Sequence, residues 1–272
     1  MPELPEVEVV RRALEEKLLG LTITDIKIKY DNIILDDIDY FKSNVISKKI
    51  IAMDRLGKFL IFKLNDGNIL SHLRMEGKYF YLKKDSMDNK HIHVIFYFDN
   101  GYMLCYQDVR KFGRICYKSD ENLNTTEPLV GVGVDLTKND SYDFDLLYKK
   151  ITSKNVAIKT TLLDQSILAG LGNIYVDEVL FLSKINPHKK SNEITKNDLK
   201  NILTYSLDCF NKSIECGGTT IRSYTSQLGV IGHNQDNLMV HTKEVCPLCG
   251  TKIIKDKTNG RGTYYCPKCQ KL

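Results

Sequence analysis

No stretch of this chain approaches the roughly 18 consecutive apolar residues that a membrane-spanning helix needs, and the charged first residues lack the apolar core of a signal peptide. The sequence is accordingly read as that of a soluble, cytosolic protein. Strong overall charge is missing too: the formal net charge is +5 over 272 residues. That excess is unevenly placed. From Leu238 to Leu272 seven Lys and Arg face two Asp and Glu, so this last segment carries all of it. A basic terminal module points to a polyanionic partner, with nucleic acid the first candidate. A disulfide framework is also lacking. Of eight cysteines, Cys105, Cys116, Cys209 and Cys216 are scattered and read as reduced thiols, while the other four fall into one tight pattern. The length allows one large domain or two ordinary ones.

The chain opens with Met1-Pro2-Glu3-Leu4-Pro5-Glu6. Pro2 is small and follows Met1 directly, so removal of Met1 is expected, leaving a secondary amine at the tip. An α-amino group titrates near 7.7–8.0, well below a lysine, and more of it is neutral and nucleophilic at physiological pH. From Val7 the apolar positions Val7, Val10, Leu14 and Leu18 follow helical spacing, and Gly20 supplies a stop. Pro5 suits a first turn, and Glu3 and Glu6 then share one face beside the amine. An amine next to two proton carriers suits Schiff-base chemistry. Taken alone, the stretch reads more readily as an ordinary helix start with acids matched to the macrodipole.

Between Leu21 and about Tyr117 the sequence reads as strands without an intervening helix. Asn65-Asp66-Gly67-Asn68 and Asp99-Asn100-Gly101 mark hairpins between apolar runs, which predicts an antiparallel sandwich or barrel with the leading helix attached. Four places stand out here: Lys58 after Gly57, His72 and Arg74 around Leu73, Met75 beside Gly77, and the loop Asp108-Val109-Arg110-Lys111-Phe112-Gly113. A lone Met or Phe is more often core. An Arg-x-Phe on a glycine-bounded loop in a basic protein instead suits a wedge that unstacks bases. Gly131-Val132-Gly133 and the polar run 137–143 read as a linker. Helical patterns follow from about Phe144, over Leu162 to Leu168, and over Lys196 to Ile214. Ala169-Gly170-Leu171-Gly172 precedes another helix, with Asn173 at its cap, a weak phosphate-binding signal. Gly217-Gly218-Thr219-Thr220 leads into a long polar loop, 221–237. The strongest local signal is Cys246-Pro247-Leu248-Cys249 with Cys266-Pro267-Lys268-Cys269, two C-x2-C pairs separated by sixteen residues. This predicts one structural, fully protein-ligated Zn2+ in a four-cysteine ribbon, with Arg261 at the tip between the pairs as a phosphate contact.

Taken together, these residues resemble the formamidopyrimidine-DNA glycosylase family along the whole chain. The resemblance rests on Pro2-Glu3-Leu4-Pro5-Glu6-Val7-Glu8, Gly57-Lys58, His72-Leu73-Arg74-Met75, the 108–113 loop, Leu163-Asp164-Gln165, the 169–175 segment, Gly217-Gly218-Thr219-Thr220 and the ribbon with Arg261. It implies an α+β multidomain protein: an N-terminal antiparallel β-sandwich with the leading helix (1–133), a helix–two-turn–helix domain with a lesion-capping loop (134–240) and the zinc ribbon (241–272). It implies a monomeric bacterial, cytoplasmic DNA glycosylase and AP lyase, nucleoid-associated when bound, which acts on oxidised purines and abasic sites in duplex DNA. Pro2, Glu3, Glu6 and Lys58 are then the catalytic set. Lys58, His72, Asn173 and Arg261 would hold phosphates, with Lys159 and Tyr175 on the same backbone-contact surface. Met75, Arg110 and Phe112 would fill the space left by an extruded nucleotide. An endonuclease VIII-like pyrimidine enzyme is the related alternative, disfavoured by Leu4, where that branch has Gly. A non-catalytic zinc-ribbon DNA-binding protein is the alternative of another class. One departure stands out: His241 occupies the place near which family members carry Tyr, in a shortened segment before Cys246.

Overall fold

The computed structural model describes residues 1–84, 86, 89–138, 142–219 and 232–272. Two compact units emerge, one from 1–130 with 217–232, the other from 131–216 with 233–272.

The first unit begins with α1 (Leu4–Leu18). Its buried apolar side chains include the predicted stripe, Val7, Val10, Leu14 and Leu18, together with Leu4 and Ala13, and Gly20 follows the helix at φ +84°. Eight strands follow: β1 (Ile23–Ile28), β2 (Ile50–Leu56), β3 (Phe59–Leu64), β4 (Asn68–His72), β5 (Lys78–Lys83), β6 (Ile92–Phe98), β7 (Tyr102–Gln107) and β8 (Arg114–Lys118). They form two four-stranded antiparallel sheets, ordered β1-β6-β7-β5 and β2-β3-β4-β8. One core joins both sheets to the helix, with Ile26, Phe96 and Leu104 from the first, Met53, Phe62, Ile69 and Ile115 from the second, and Val7, Val10 and Leu14 from α1. Each such fully buried side chain contributes about 1.5–3 kcal/mol. The expected sandwich is therefore present, with both predicted hairpin turns closing at glycines of positive φ, Gly67 and Gly101.

One helix interrupts the strands against expectation: α2 (Ile38–Val45). Asp37 caps it, accepting from the Asp39 and Tyr40 amides, and Phe41 and Val45 are buried on one side. Eight residues give too short a period to register against the surrounding strand pattern.

The second unit contains α3 (Phe144–Thr152), α4 (Ile158–Leu162), α5 (Asn173–Leu182) and α6 (Lys196–Glu215), and ends in the hairpin β9 (Ile254–Thr258) and β10 (Arg261–Tyr265). The stretch expected as helix over Leu162–Leu168 is not one. Helix α4 stops at Leu162, and Gln165 braces the following turns by donating to the Leu163 and Leu171 carbonyls and accepting from Gly170 N. The Gly131–Gly133 stretch is not a free linker either, because Gly133 N donates to Gln165 O and Val134 bridges Leu168.

Candidate active site and nucleic-acid interface

The start of α1 is a capping box. Glu3 is the N-cap, and the Glu6 carboxylate accepts from Glu3 N at 2.9 Å. Its other oxygen accepts from Thr219 N at 2.8 Å, in the Gly-Gly-Thr segment that precedes the residues outside the description. Pro2 is buried, and so are Glu3, 2 % exposed, and Glu6, 7 % exposed. The neighbouring Glu8 has a different task. Burial raises its pKa, but hydrogen bonds and charge from Arg11, Arg12 and Arg55 outweigh that and hold the carboxyl below its ordinary range. Glu3, next to Pro2 in the chain, and Glu6, bonded to Glu3 N, form the capping box, while Glu8 is committed to an arginine cluster.

Lys58 sits in a two-residue hairpin between β2 and β3, where Leu56 pairs Phe59 and Gly57 takes φ +55°. A hairpin lysine is ordinarily solvated, yet Lys58 is only 5 % exposed. Arg55 donates to Gly57 O at 2.8 Å and stiffens the turn. Across the sheet His72 pairs Phe59, ring to ring at 4.6 Å. Burial, together with the charges of Arg74 and Lys58, pushes the His72 pKa down to about 3. Its Nδ1 accepts from Arg74 N at 3.0 Å, so the neutral ring carries its proton on Nε2. A neutral N–H donor and not a cation is what His72 offers. The same bond supports the turn at Arg74, φ +52°, that presents Met75, 37 % exposed.

The 108–113 loop carries exposed Arg110 and Phe112, the latter 47 % exposed, with the Arg110 guanidinium 4.8 Å from the Phe112 ring centroid. Such an exposed aromatic next to a cation has the form of a wedge.

In the second unit Gly172, not Asn173, is the N-cap of α5, and Asn173 is its first helical residue. Its first turn contains no acid, so the positive end of the helix dipole is left uncompensated by its own side chains. Asn173 Nδ2 donates to Gly262 O at 2.9 Å, beside exposed Arg261. Asn259-Gly260, both at positive φ, make the two-residue turn that Arg261 follows. The expectation that Lys159 and Tyr175 face a DNA backbone does not fit the geometry. Lys159 is wholly buried; its ammonium binds Asp177 at 2.8 Å, Gly262 O at 2.8 Å and Thr263 Oγ1 at 3.0 Å. Tyr175 is 1 % exposed and shares a hydrogen bond with Ser213. A fully buried ammonium needs a carboxylate partner, which Asp177 supplies. His241 bonds the same Asp177 through Nδ1 at 2.8 Å. The next residue, Glu178, accepts from the Met239, Val240 and His241 amides at 2.7–3.0 Å. Sequence reasoning missed this acid pair; two adjacent carboxylates in an otherwise apolar helix were the available signal.

The sulfurs of Cys246, Cys249, Cys266 and Cys269 lie within 4.8 Å of one another, with Cys249–Cys266 at 3.5 Å and Cys246–Cys269 at 3.9 Å. Disulfides are excluded at such separations. A tetrahedron of thiolates with Zn–S bonds near 2.3 Å has edges of about 3.8 Å, so the four residues fit one structural Zn2+.

Known proteins share this arrangement throughout. Three family models match in order: the formamidopyrimidine-DNA glycosylase N-terminal domain over residues 1–115, its H2TH domain over 132–225, and the zinc finger found in FPG and IleRS over 243–272. The formamidopyrimidine-DNA glycosylase of Mycoplasmopsis pulmonis is 45 % identical over 276 residues, covering 100 % of this chain and 98 % of that one. That of Lactobacillus delbrueckii subsp. bulgaricus is 42 % identical over 273 residues, with 100 % of both chains covered. Among solved structures, the complex of Lactococcus lactis Fpg with abasic-site DNA superposes with a TM-score of 0.92 at 39 % identity, covering 99 % of this chain and 100 % of that one. MutM bound to DNA containing carbocyclic 8-oxo-G gives the same TM-score and identity, with both chains fully covered. With relatives matched from end to end and all three domain models satisfied in sequence, the chain belongs to the formamidopyrimidine-DNA glycosylase family.

Proposed function

We propose that this chain removes oxidised purines, 8-oxoguanine and formamidopyrimidines, from duplex DNA and then cuts the strand, with Pro2 as the nucleophile. The observation that carries the residue assignment is the capping box beside Pro2, in which Glu3 caps α1, the Glu6 carboxylate accepts from Glu3 N, and both acids are buried. Once Met1 is removed, the Pro2 nitrogen attacks C1′ and the glycosidic bond breaks, its electron pair leaving with the base, which takes up a proton. Glu3 is the proton carrier near the sugar oxygen and base, supported by Glu6. The amine gives up its own proton and the sugar ring opens, the C1′–O4′ bond breaking with O4′ taking up a proton, which leaves an iminium. Because the amine was secondary, that iminium has no N–H to lose and stays cationic as an electron sink. Loss of the C2′ proton expels the 3′ phosphate, and a second elimination expels the 5′ phosphate.

Lys58, His72, Asn173 and Arg261 are the proposed phosphate donors, His72 through its neutral Nε2–H. Met75, Arg110 and Phe112 replace the extruded nucleotide in the stack, which offsets an unstacking cost of a few kcal/mol. The four-cysteine ribbon with its Zn2+ holds the Arg261 hairpin in shape and takes no part in the chemistry. Among the described residues no helix is long and apolar enough to cross a membrane, and the relatives are bacterial; action in the cytoplasm as a monomer, on the nucleoid when bound, completes the reading.

Borohydride trapping with an 8-oxoguanine duplex, followed by mass mapping, tests this. The adduct is expected on Pro2, with Pro2→Gly weakening it severely. A crosslink on an internal lysine, or undiminished trapping by protein that retains Met1, refutes the mechanism.

A further inference from the structure

The three void-filling side chains come from two separate turns, yet both turns rest on one buried post. Asp108 is wholly buried at the end of β7. Its backbone is fixed on both sides, the amide donating to His91 O at 3.0 Å and the carbonyl meeting His93 Nε2 at 2.7 Å. Its carboxylate then turns into the following loop. Oδ1 accepts from Arg110 N at 3.0 Å, while Oδ2 accepts from Phe112 N at 2.9 Å and Gly113 N at 2.8 Å. One side chain therefore orients the peptide groups of both wedge residues, and Lys111 between them is bent to φ +58°.

Tyr106, fully buried on β7, places its hydroxyl 3.5 Å from the same Oδ2. That hydroxyl lies under Gly113 and also under Gly77, which closes the Met75 turn by donating to Leu73 O at 2.9 Å. A Cβ at either glycine would overlap the Tyr106 oxygen, so both turns must be glycine where they cross it.

We propose that Asp108, braced by Tyr106, is a positioning residue that presets Arg110, Phe112 and Met75 in one arrangement before DNA is engaged. This rests on the reading of those three as the residues that occupy the vacated stack. A charged carboxylate with three amide donors is a strong, directional clamp. Asp108→Asn keeps the volume but turns one acceptor into an NH2 group that confronts either the Arg110 amide or the Phe112 and Gly113 amides. Tyr106→Phe is the milder variant, removing only the hydroxyl between the turns.

Two readouts separate presetting from mere folding. The first is the ratio of 8-oxoguanine excision in duplex DNA to borohydride trapping on a single-stranded abasic oligonucleotide, where no stack has to be filled. The second is fluorescence of 2-aminopurine next to a tetrahydrofuran abasic analogue, a clean signal because the chain has no tryptophan. In D108N the duplex-to-single-strand ratio should fall about tenfold or more, and Y106F should show a smaller fall in the same direction. Both should lose most of the 2-aminopurine enhancement given by the parent protein. Phe112→Ala is the reference. If F112A loses the duplex signal and D108N keeps it within twofold, the positioning proposal is overturned while the wedge reading stands. Equal loss by D108N on both substrates also overturns it, since that is the mark of a structural role alone. If F112A itself behaves as the parent, the wedge reading fails and takes the proposal with it.

Discussion

Replacing Lys159 with methionine removes a buried ammonium and keeps most of its volume. In the parent that ammonium sits 2.8 Å from Asp177, and both side chains are wholly inaccessible to solvent. With Lys159 gone, Asp177 retains His241 Nδ1 at 2.8 Å and Tyr264 N at 3.3 Å but loses its permanent cation. Gly262 O and Thr263 Oγ1 lose a donor in the same step. Leaving one member of a buried pair uncompensated costs about 3–5 kcal/mol. At some 2–4 °C per kcal/mol for a chain of this size, that is roughly 6–20 °C in Tm. The double variant Lys159→Met/Asp177→Leu replaces the pair by apolar groups and should recover much of the loss, since such exchanges are often near neutral. Thermal unfolding of the parent, both single variants and the double one gives the coupling directly. If Lys159 were a phosphate contact, the outcome would be opposite: K159M would unfold like the parent, and the salt dependence of DNA binding would become shallower by one contact. That pattern would refute the internal role assigned to it.

Acid should weaken the first unit through His72. Its folded pKa, about 3, lies below the ordinary 6.5, so the unfolded chain takes up the proton first. The stability it lends is complete above pH 6.5 and is lost as pH falls from there toward 3; His72→Asn should flatten that part of the denaturation profile. Chelation of Zn2+ should unfold the ribbon, because so short a module has little core of its own, and Arg261 should lose its fixed place. DNA affinity measured by anisotropy should then fall, whereas a chelated protein that binds like the parent would show the metal to be dispensable.

The parts legible in the sequence were those with a short-range signature. The α1 stripe, the Asn-Gly and Asp-Gly hairpins and the cysteine spacing each follow from local rules, and each is found where those rules put it. The proposed wedge was legible because Arg110 and Phe112 are unusual together on a glycine-bounded loop. What supports them was not: Asp108 reads as one more loop acid until the chain returns its carboxylate to three amides. Lys159 and Tyr175 were misplaced for a related reason. The family resemblance placed them among the backbone contacts, and only the tertiary fold reveals Asp177 as the counter-ion of Lys159, eighteen positions away. The helix expected over Leu162–Leu168 does not form because Gln165 closes turns there, a detail that the local pattern does not carry.

The adjacent acids Asp177 and Glu178 bear on how a widespread module is fitted to its host. The ribbon's finger type also occurs in IleRS, so its cysteines cannot by themselves specify the present setting. Here the adapter is two consecutive carboxylates on α5: one grips the hairpin through Lys159, His241 and Tyr264, the other receives the polypeptide as it enters the finger. Burial pushes the Glu178 carboxyl up even with three amides opposing it, so the grip is held under electrostatic load. A finger transplanted to another scaffold without such a socket should still bind its metal, but its arginine would no longer be aimed.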